Sequence, residues 1–206
     1  MRLPNATHEA HPWVIAQIAP DFKLEDVWRL PTQGGPGDFS ALLEIVTSLD
    51  PVSSDSRAAR ALFALRFRLG ALFGWDDPPS KPAVPGGAET SLSARVPEAL
   101  RDTVTPPIVV ISTIFAPLYR TDREWAAEIS NSTVHAVMQL AWVRGREGVY
   151  HGQMGVYVKP RGRFGSAYMA LIGPFRHFIV YPALMRQIGR AWEARPRADS
   201  SVSDVH

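Results

Sequence analysis

Apolar and polar residues alternate through three consecutive stretches, Glu124–Ser130, Thr133–Val143 and Val149–Lys159. A period of two marks a strand with one face turned to a core. Read as strands, they gather Trp125, Ala127, Ile129, Ala136, Met138, Leu140, Trp142, Tyr150, Met154 and Val156 on one face. Glu124, Glu128, His135, Gln139, His151, Gln153 and Tyr157 fall on the other. A two-residue loop at Asn131-Ser132 sets Glu128 opposite His135 and Glu124 opposite Gln139. A five-residue loop at Arg144–Gly148 sets Gln139 opposite Gln153 and His135 opposite Tyr157. Both loops give the same division of faces, and a one-residue slip in either would scramble it. Thr121-Asp122-Arg123-Glu124 also fits a capping box that would open a short helix at Arg123. The alternation of Trp125, Ala127 and Ile129 with Glu124, Ala126 and Glu128 favours the strand.

Upstream, residues 1–12 read as a flexible arm, followed by candidate strands at Trp13–Ile18 and Phe22–Leu30. The run Pro31–Asp38, with Gly34, Gly35 and Gly37, is a break, and Asp38 can cap a helix from Phe39 to about Leu49. A second helix follows Ser54 or Ser56, because Ala58, Leu62, Leu65, Leu69 and Leu72 recur at spacings of four, three, four and three. Residues 76–107 carry nine prolines and glycines and form a long irregular insertion, either an excursion over a pocket or a slack loop. Ile108–Ile114 is a β-branched strand that can continue to Tyr119. A long C-terminal helix shows an apolar face of Leu171, Phe175, Phe178, Tyr181, Met185, Ile188 and Trp192, with a kink or restart at Pro174 and Pro182. The tail, 195–206, is expected to be disordered. The whole reads as one α+β domain over 13–194, long enough for one substantial core.

Composition narrows the chemistry. The chain has no cysteine, which removes disulfides, thiolate metal sites and cysteine nucleophiles together. Neither a signal-peptide run at Met1-Arg2-Leu3 nor an apolar span of roughly 18–20 residues occurs, so a cytoplasmic protein without a transmembrane segment is expected. The formal net charge of +2 hides ten Arg and Lys against Glu147 and Glu193 between Arg144 and Arg197. That bias fits a solvated helix surface or weak contact with an anionic membrane, and no nucleic-acid motif accompanies it. The His and Glu spacings match no metal signature, and no phosphate loop, nucleophile elbow or dinucleotide fingerprint is present, so neither metal nor cofactor is expected.

Acid–base groups accumulate on the polar face of the strands. That face either meets water or lines a cavity. In a cavity, Glu128 would orient His135 as a general base, and Tyr157 or Gln139 would stabilise developing negative charge. Arg176-His177 in the last helix either lines a pocket or faces solvent.

The stretches Asp26-Val27-Trp28-Arg29-Leu30-Pro31-Thr32, Glu124-Trp125-Ala126-Ala127-Glu128-Ile129 with Asn131, Thr133 and His135, and Tyr168-Met169-Ala170 with Pro174-Phe175-Arg176-His177 and Tyr181-Pro182 resemble an uncharacterised bacterial family of unknown function. Its members are common in actinobacteria and sometimes follow an NAD-binding, short-chain-reductase-like domain. The element order is similar to the helix-grip fold of START-like lipid-binding proteins and polyketide aromatase/cyclases, in which a curved antiparallel sheet wraps the last helix. That likeness implies binding of a hydrophobic small molecule, a lipid or polyketide-like compound. Trp125, Met138, Gln139, Leu140, Met154, Tyr168 and Phe175 would be the contacts. Two alternatives are a cyclase- or isomerase-type enzyme on the same scaffold, using Glu128, His135 and Tyr157, and an interaction protein using the basic C-terminal helix. The sequence leaves the oligomeric state open.

Overall fold

The computed structural model describes residues 1–49, 91–103, 115–130 and 134–196, apart from the side chains at 146, 163, 164, 167, 168, 172 and 175. The helix expected after Ser54, the strand over 108–114 and the tail beyond 196 lie outside the described residues. In chain order the elements are β1 (Arg2–Leu3), α1 (Asn5–Glu9), α2 (Val14–Ile18), β2 (Lys23–Gly34), α3 (Phe39–Ser48), a 3₁₀ turn (Leu92–Arg95) and α4 (Glu98–Arg101). There follow β3 (Ala116–Arg120), β4 (Glu124–Ser130), β5 (Val134–Arg144), β6 (Tyr150–Pro160), α5 (Gly162–Phe175), a π turn (Arg176–Val180) and α6 (Tyr181–Ala194).

The strands form one antiparallel six-stranded sheet in the order β1-β2-β6-β5-β4-β3. Alternation divides its faces as the sequence implies, although the register differs. Ser130 pairs with His135 and Glu128 with Val137, while Gln139 pairs with Gly155 and Val137 with Tyr157. Both hairpins have therefore slipped by two residues from the expected pairing. A slip of two preserves parity, so every side chain stays on its expected face. The capping-box residues act as a turn instead: Thr121 Oγ1 accepts the Glu124 N–H at 3.0 Å and leads the chain into β4.

Helices cover both faces. On one, α3 and α6 bring Phe39, Leu42, Val46, Tyr181, Ile188 and Trp192 against Trp125, Leu140, Trp142 and Met154. The indole N–H groups of Trp142 and Trp192 donate to the carbonyls of Gly35 and Gln33, fixing strand and helix to the end of β2. On the other, Ile15, Ile18, Phe22, Leu92 and Val96 pack on Leu118, Ala126, Val137 and Tyr157. Residues 1–12, read as an arm, carry β1 and α1 and place His8 in the interior.

The stretch Trp13–Ile18, expected as a strand, is largely the helix α2, whose first amides are held by Glu124 of β4. In the C-terminal segment the helix restarts after Pro174 through the π turn, with Pro182 in the first turn of α6. The wider π turn shifts the helical phase, so Leu171 and Phe178 of the expected apolar stripe are exposed while Tyr181, Ile188 and Trp192 are buried.

Gly152 of β6 lies beneath α3. A methyl group there would sit 2.7 Å from Leu42 Cδ2, 2.9 Å from Leu30 Cδ1 and 2.9 Å from Thr32 Oγ1. Overpacking of a close-packed core costs about 1–3 kcal/mol. Gly152→Ala is therefore expected to lower the unfolding free energy by that amount, seen as a lower urea midpoint with an unchanged slope, and an unaltered midpoint would contradict this packing.

Candidate functional site

The polar side chains of β4–β6 face neither water nor an open cavity. Glu124, Glu128, His135 and Gln139 are buried beneath α1, α2 and the 91–103 segment, while His151 and Gln153, also buried, lie at the open end of this face, where the cover stops. The Glu124 carboxylate accepts the backbone N–H groups of Val14 at 2.9 Å and Ile15 at 3.2 Å. These are free amides at the start of α2, which has no side-chain cap of its own. The same carboxylate accepts the Tyr119 hydroxyl at 2.5 Å and the Gln139 amide at 2.7 Å.

Because Gln139 gives its nitrogen to Glu124, its oxygen is left to His8 Nε2 at 2.6 Å. His8 Nδ1 lies 3.0 Å from the Gln153 carboxamide. That group can offer the ring its oxygen or, after a half turn, its nitrogen. Burial lowers the His8 pKa, against the raising effect of the two glutamines and Glu124. A neutral ring is thus favoured, with Nε2 donating to the Gln139 oxygen, the shorter of the two contacts.

Glu128 and His135 meet as their shared face implies, with His135 Nε2 at 2.9 Å from the carboxylate. They do so as diagonal neighbours, since Glu128 pairs with Val137. The carboxylate also accepts the Ser91 hydroxyl and the Leu92 N–H, and the edge of Phe22 packs on the imidazole with ring centroids 4.9 Å apart. Burial raises the Glu128 pKa, but the hydrogen bonds from His135, Ser91 and Leu92 outweigh it and hold the group ionised below its ordinary value. Tyr157 is buried beside His8, with its phenol kept protonated mainly by burial.

Of the expected ligand contacts, Trp125, Leu140 and Met154 are buried on the α6 face and Met138 is half-buried there. Gln139 points to the opposite face, against His8. The side chains of Tyr168 and Phe175 lie outside the described residues. Among the described residues no three His, Asp or Glu side chains are grouped to hold a metal ion.

A second cluster forms on the α6 face. Asp26, fully buried on β2, receives His177 Nε2 at 2.5 Å, Arg176 Nη2 at 3.0 Å and the Tyr181 hydroxyl at 3.4 Å. Arg2 approaches the same carboxylate at 3.4 Å. Trp28 stacks beside His177 and Tyr181, with ring centroids at 6.3 and 5.0 Å. Burial holds the Tyr181 phenol protonated. Among the described residues, Trp28 Nε1 and Arg176 Nε are buried without a hydrogen-bond partner. Sequence reasoning leaves Arg176-His177 with two open readings and never links them to Asp26. The available signal was the concentration of polar residues at the proline-broken part of an otherwise apolar helix.

An open six-stranded antiparallel sheet with a long helical segment closing the chain against one face, and with Asp26, Arg176 and His177 at their junction, defines an α+β protein of helix-grip-like architecture. The chain belongs to the family described as a protein of unknown function (DUF2867), whose model matches residues 18–183. No curated protein and no solved structure matches it.

The polar network makes stability depend on pH. His8 and His151 have pKa values lowered by burial, and for His151 also by Arg29. The unfolded chain therefore takes up their protons first, near the ordinary value of 6.5. Stability is complete above that value and is lost as the pH falls from it toward the folded-state values. Each group contributes a slope of at most about 1.4 kcal/mol per pH unit. Urea unfolding between about pH 7.5 and 5 is expected to show this loss, with a shallower slope in His8→Asn; a flat profile would contradict it.

Proposed function

We propose that the protein binds a hydrophobic small molecule with a polar head in the seam between the sheet and the C-terminal helical segment. The supporting observation is the buried indole N–H of Trp28, which has no acceptor and lies next to the Asp26–His177–Arg176 cluster. Around it the sheet face is apolar but incompletely covered. Trp28, Val156 and Met138 are only half-buried on adjacent strands β2, β6 and β5, with Asp26 paired to Val156 and Val156 to Met138. An apolar body laid on this band brings its head to Trp28 Nε1, Arg176 and His177, the division of labour usual in small-molecule sites. Leu171 and Phe178, exposed on the segment that carries these polar groups, offer an apolar approach. The likeness to START-like lipid-binding proteins and polyketide cyclases fits the same seam.

An enzyme on this scaffold is the second reading, favoured by the Asp26–His177 contact. A carboxylate at one imidazole nitrogen orients the ring and leaves the other nitrogen for proton transfer. His177 is 27 % exposed, whereas the His135 side chain, 3 % exposed, is enclosed with Glu128 beneath Ser91, Leu92 and Phe22. Proton transfer by Glu128 and His135 would require the 91–103 segment to lift; Asp26 and His177 need no such opening.

Native mass spectrometry of the recombinant protein is expected to carry a co-purified apolar molecule, and an apolar fluorescent dye should compete for the same place. Met138→Asp, at the half-buried middle of the band, is expected to weaken dye binding at least tenfold, about 1.4 kcal/mol. His177→Asn should weaken a headed ligand such as a fatty acid while leaving a headless dye unchanged. Dye binding that survives Met138→Asp in a protein with an unaltered circular dichroism spectrum would overturn the proposal.

A further inference from the structure

The cover over the polar face stops short at the end nearest the β5–β6 turn. There a cleft of about 700 Å³ opens between α1 and the turn, on the face of the sheet opposite the apolar seam. Arg29 of β2, Arg144 at the end of β5 and His11 beyond α1 line it, and Glu147 of the turn is the one acid among the described residues of the lining. Neither guanidinium makes a hydrogen bond or ion pair among the described residues.

The floor is His151, only 7 % exposed, with Nδ1 lacking any hydrogen-bond partner. A Cβ at Gly145, also in the lining, would stand 3.3 Å from that nitrogen and 2.9 Å from the Val149 carbonyl oxygen. Glycine at 145 therefore lets the turn pass close to Nδ1 without a side chain pressed against it. The β2 register is irregular between Arg29, which pairs with Gln153, and Gln33, which pairs with His151. A bulge of this kind redirects side chains at a sheet margin. Burial, with help from Arg29, lowers the His151 pKa, so at neutral pH the ring is uncharged and can donate one hydrogen bond.

We infer that this cleft binds a small molecule through a phosphate or carboxylate group, held by the Arg29 and Arg144 guanidiniums and hydrogen-bonded from below by His151. Two guanidiniums suit a planar or tetrahedral oxyanion because each presents a fork of N–H donors. A buried imidazole with an unused nitrogen supplies the directed contact that distinguishes a site from a basic surface. The site is independent of the apolar ligand proposed above, and its loss would leave that proposal untouched.

Isothermal titration of the full chain with inorganic phosphate, and separately with citrate, at constant low ionic strength set by chloride, tests the inference. Saturable one-to-one binding of at least one anion is expected. Phosphate alone would assign a phosphoryl group, citrate alone a carboxylate, and both an oxyanion site of either kind. Arg144→Gln, at an exposed position, and Arg29→Gln should each weaken binding at least tenfold with an unchanged thermal midpoint. Glu147→Gln should tighten it severalfold. Absence of saturable binding to both anions, or an affinity unchanged in both arginine variants, would overturn the site.

Discussion

Two carboxylates closed inside the sheet, Glu124 and Glu128, govern everything packed over its polar face. An ionised carboxylate in such surroundings costs many kcal/mol unless charge or hydrogen bonds compensate it. Both find their donors at the start of a covering element: Val14 and Ile15 at α2, Ser91 and Leu92 at the 3₁₀ turn. A helix of five residues has little stability alone, and its first amides are unsatisfied. The carboxylate and the helix end thus complete each other, and segments more than a hundred residues apart are joined by the exchange. Ile15, Ile18 and Phe22 then bury apolar area over the same face, which makes the polar network an interior rather than a surface.

This explains what could and could not be read from the chain. The alternation in Glu124–Tyr157 carries three strands and both their faces, because facing depends on parity alone. It does not carry the register, and both hairpins settled two residues away from the expected pairing. The Glu128–His135 contact survived that shift because a diagonal pair on one face is still within reach of long side chains. The helix α2 was not legible in Trp13–Ile18, whose residues favour a strand locally, since its cap belongs to Glu124. His8 looked like part of an arm for the same reason: its partners, Gln139 and Gln153, are remote. Burial of a polar face can be read only when the elements that bring its partners are known.

On the other face the constraint is again a buried carboxylate, Asp26, and β2 is bent to deliver it. Leu24 and Asp26 would share a face in a regular strand, yet Leu24 joins the cluster under α2 while Asp26 meets the C-terminal segment. The register shift between them turns the strand over. A second irregularity, after Arg29, sets the margin of the basic cleft. One strand therefore carries both candidate sites, back to back, with Asp26 and Trp28 toward α6 and Arg29 toward the cleft.

The π turn follows from the same demand. A regular helix through Arg176–Val180 would keep the apolar stripe in phase and present Phe178 to the sheet. Instead the wider turn brings Arg176 and His177 onto Asp26 and leaves Phe178 81 % exposed. Burying a phenylalanine stabilises a fold by roughly 1.5–3 kcal/mol, whereas a buried carboxylate stripped of its partner loses roughly 3–5 kcal/mol. The charge therefore decides the geometry: the helix gives up an apolar contact to satisfy it. In doing so it leaves the indole of Trp28 and the Nε of Arg176 without partners at the junction. Those two unmet donors are the reason to look for a ligand head there rather than along the closely packed remainder of α6.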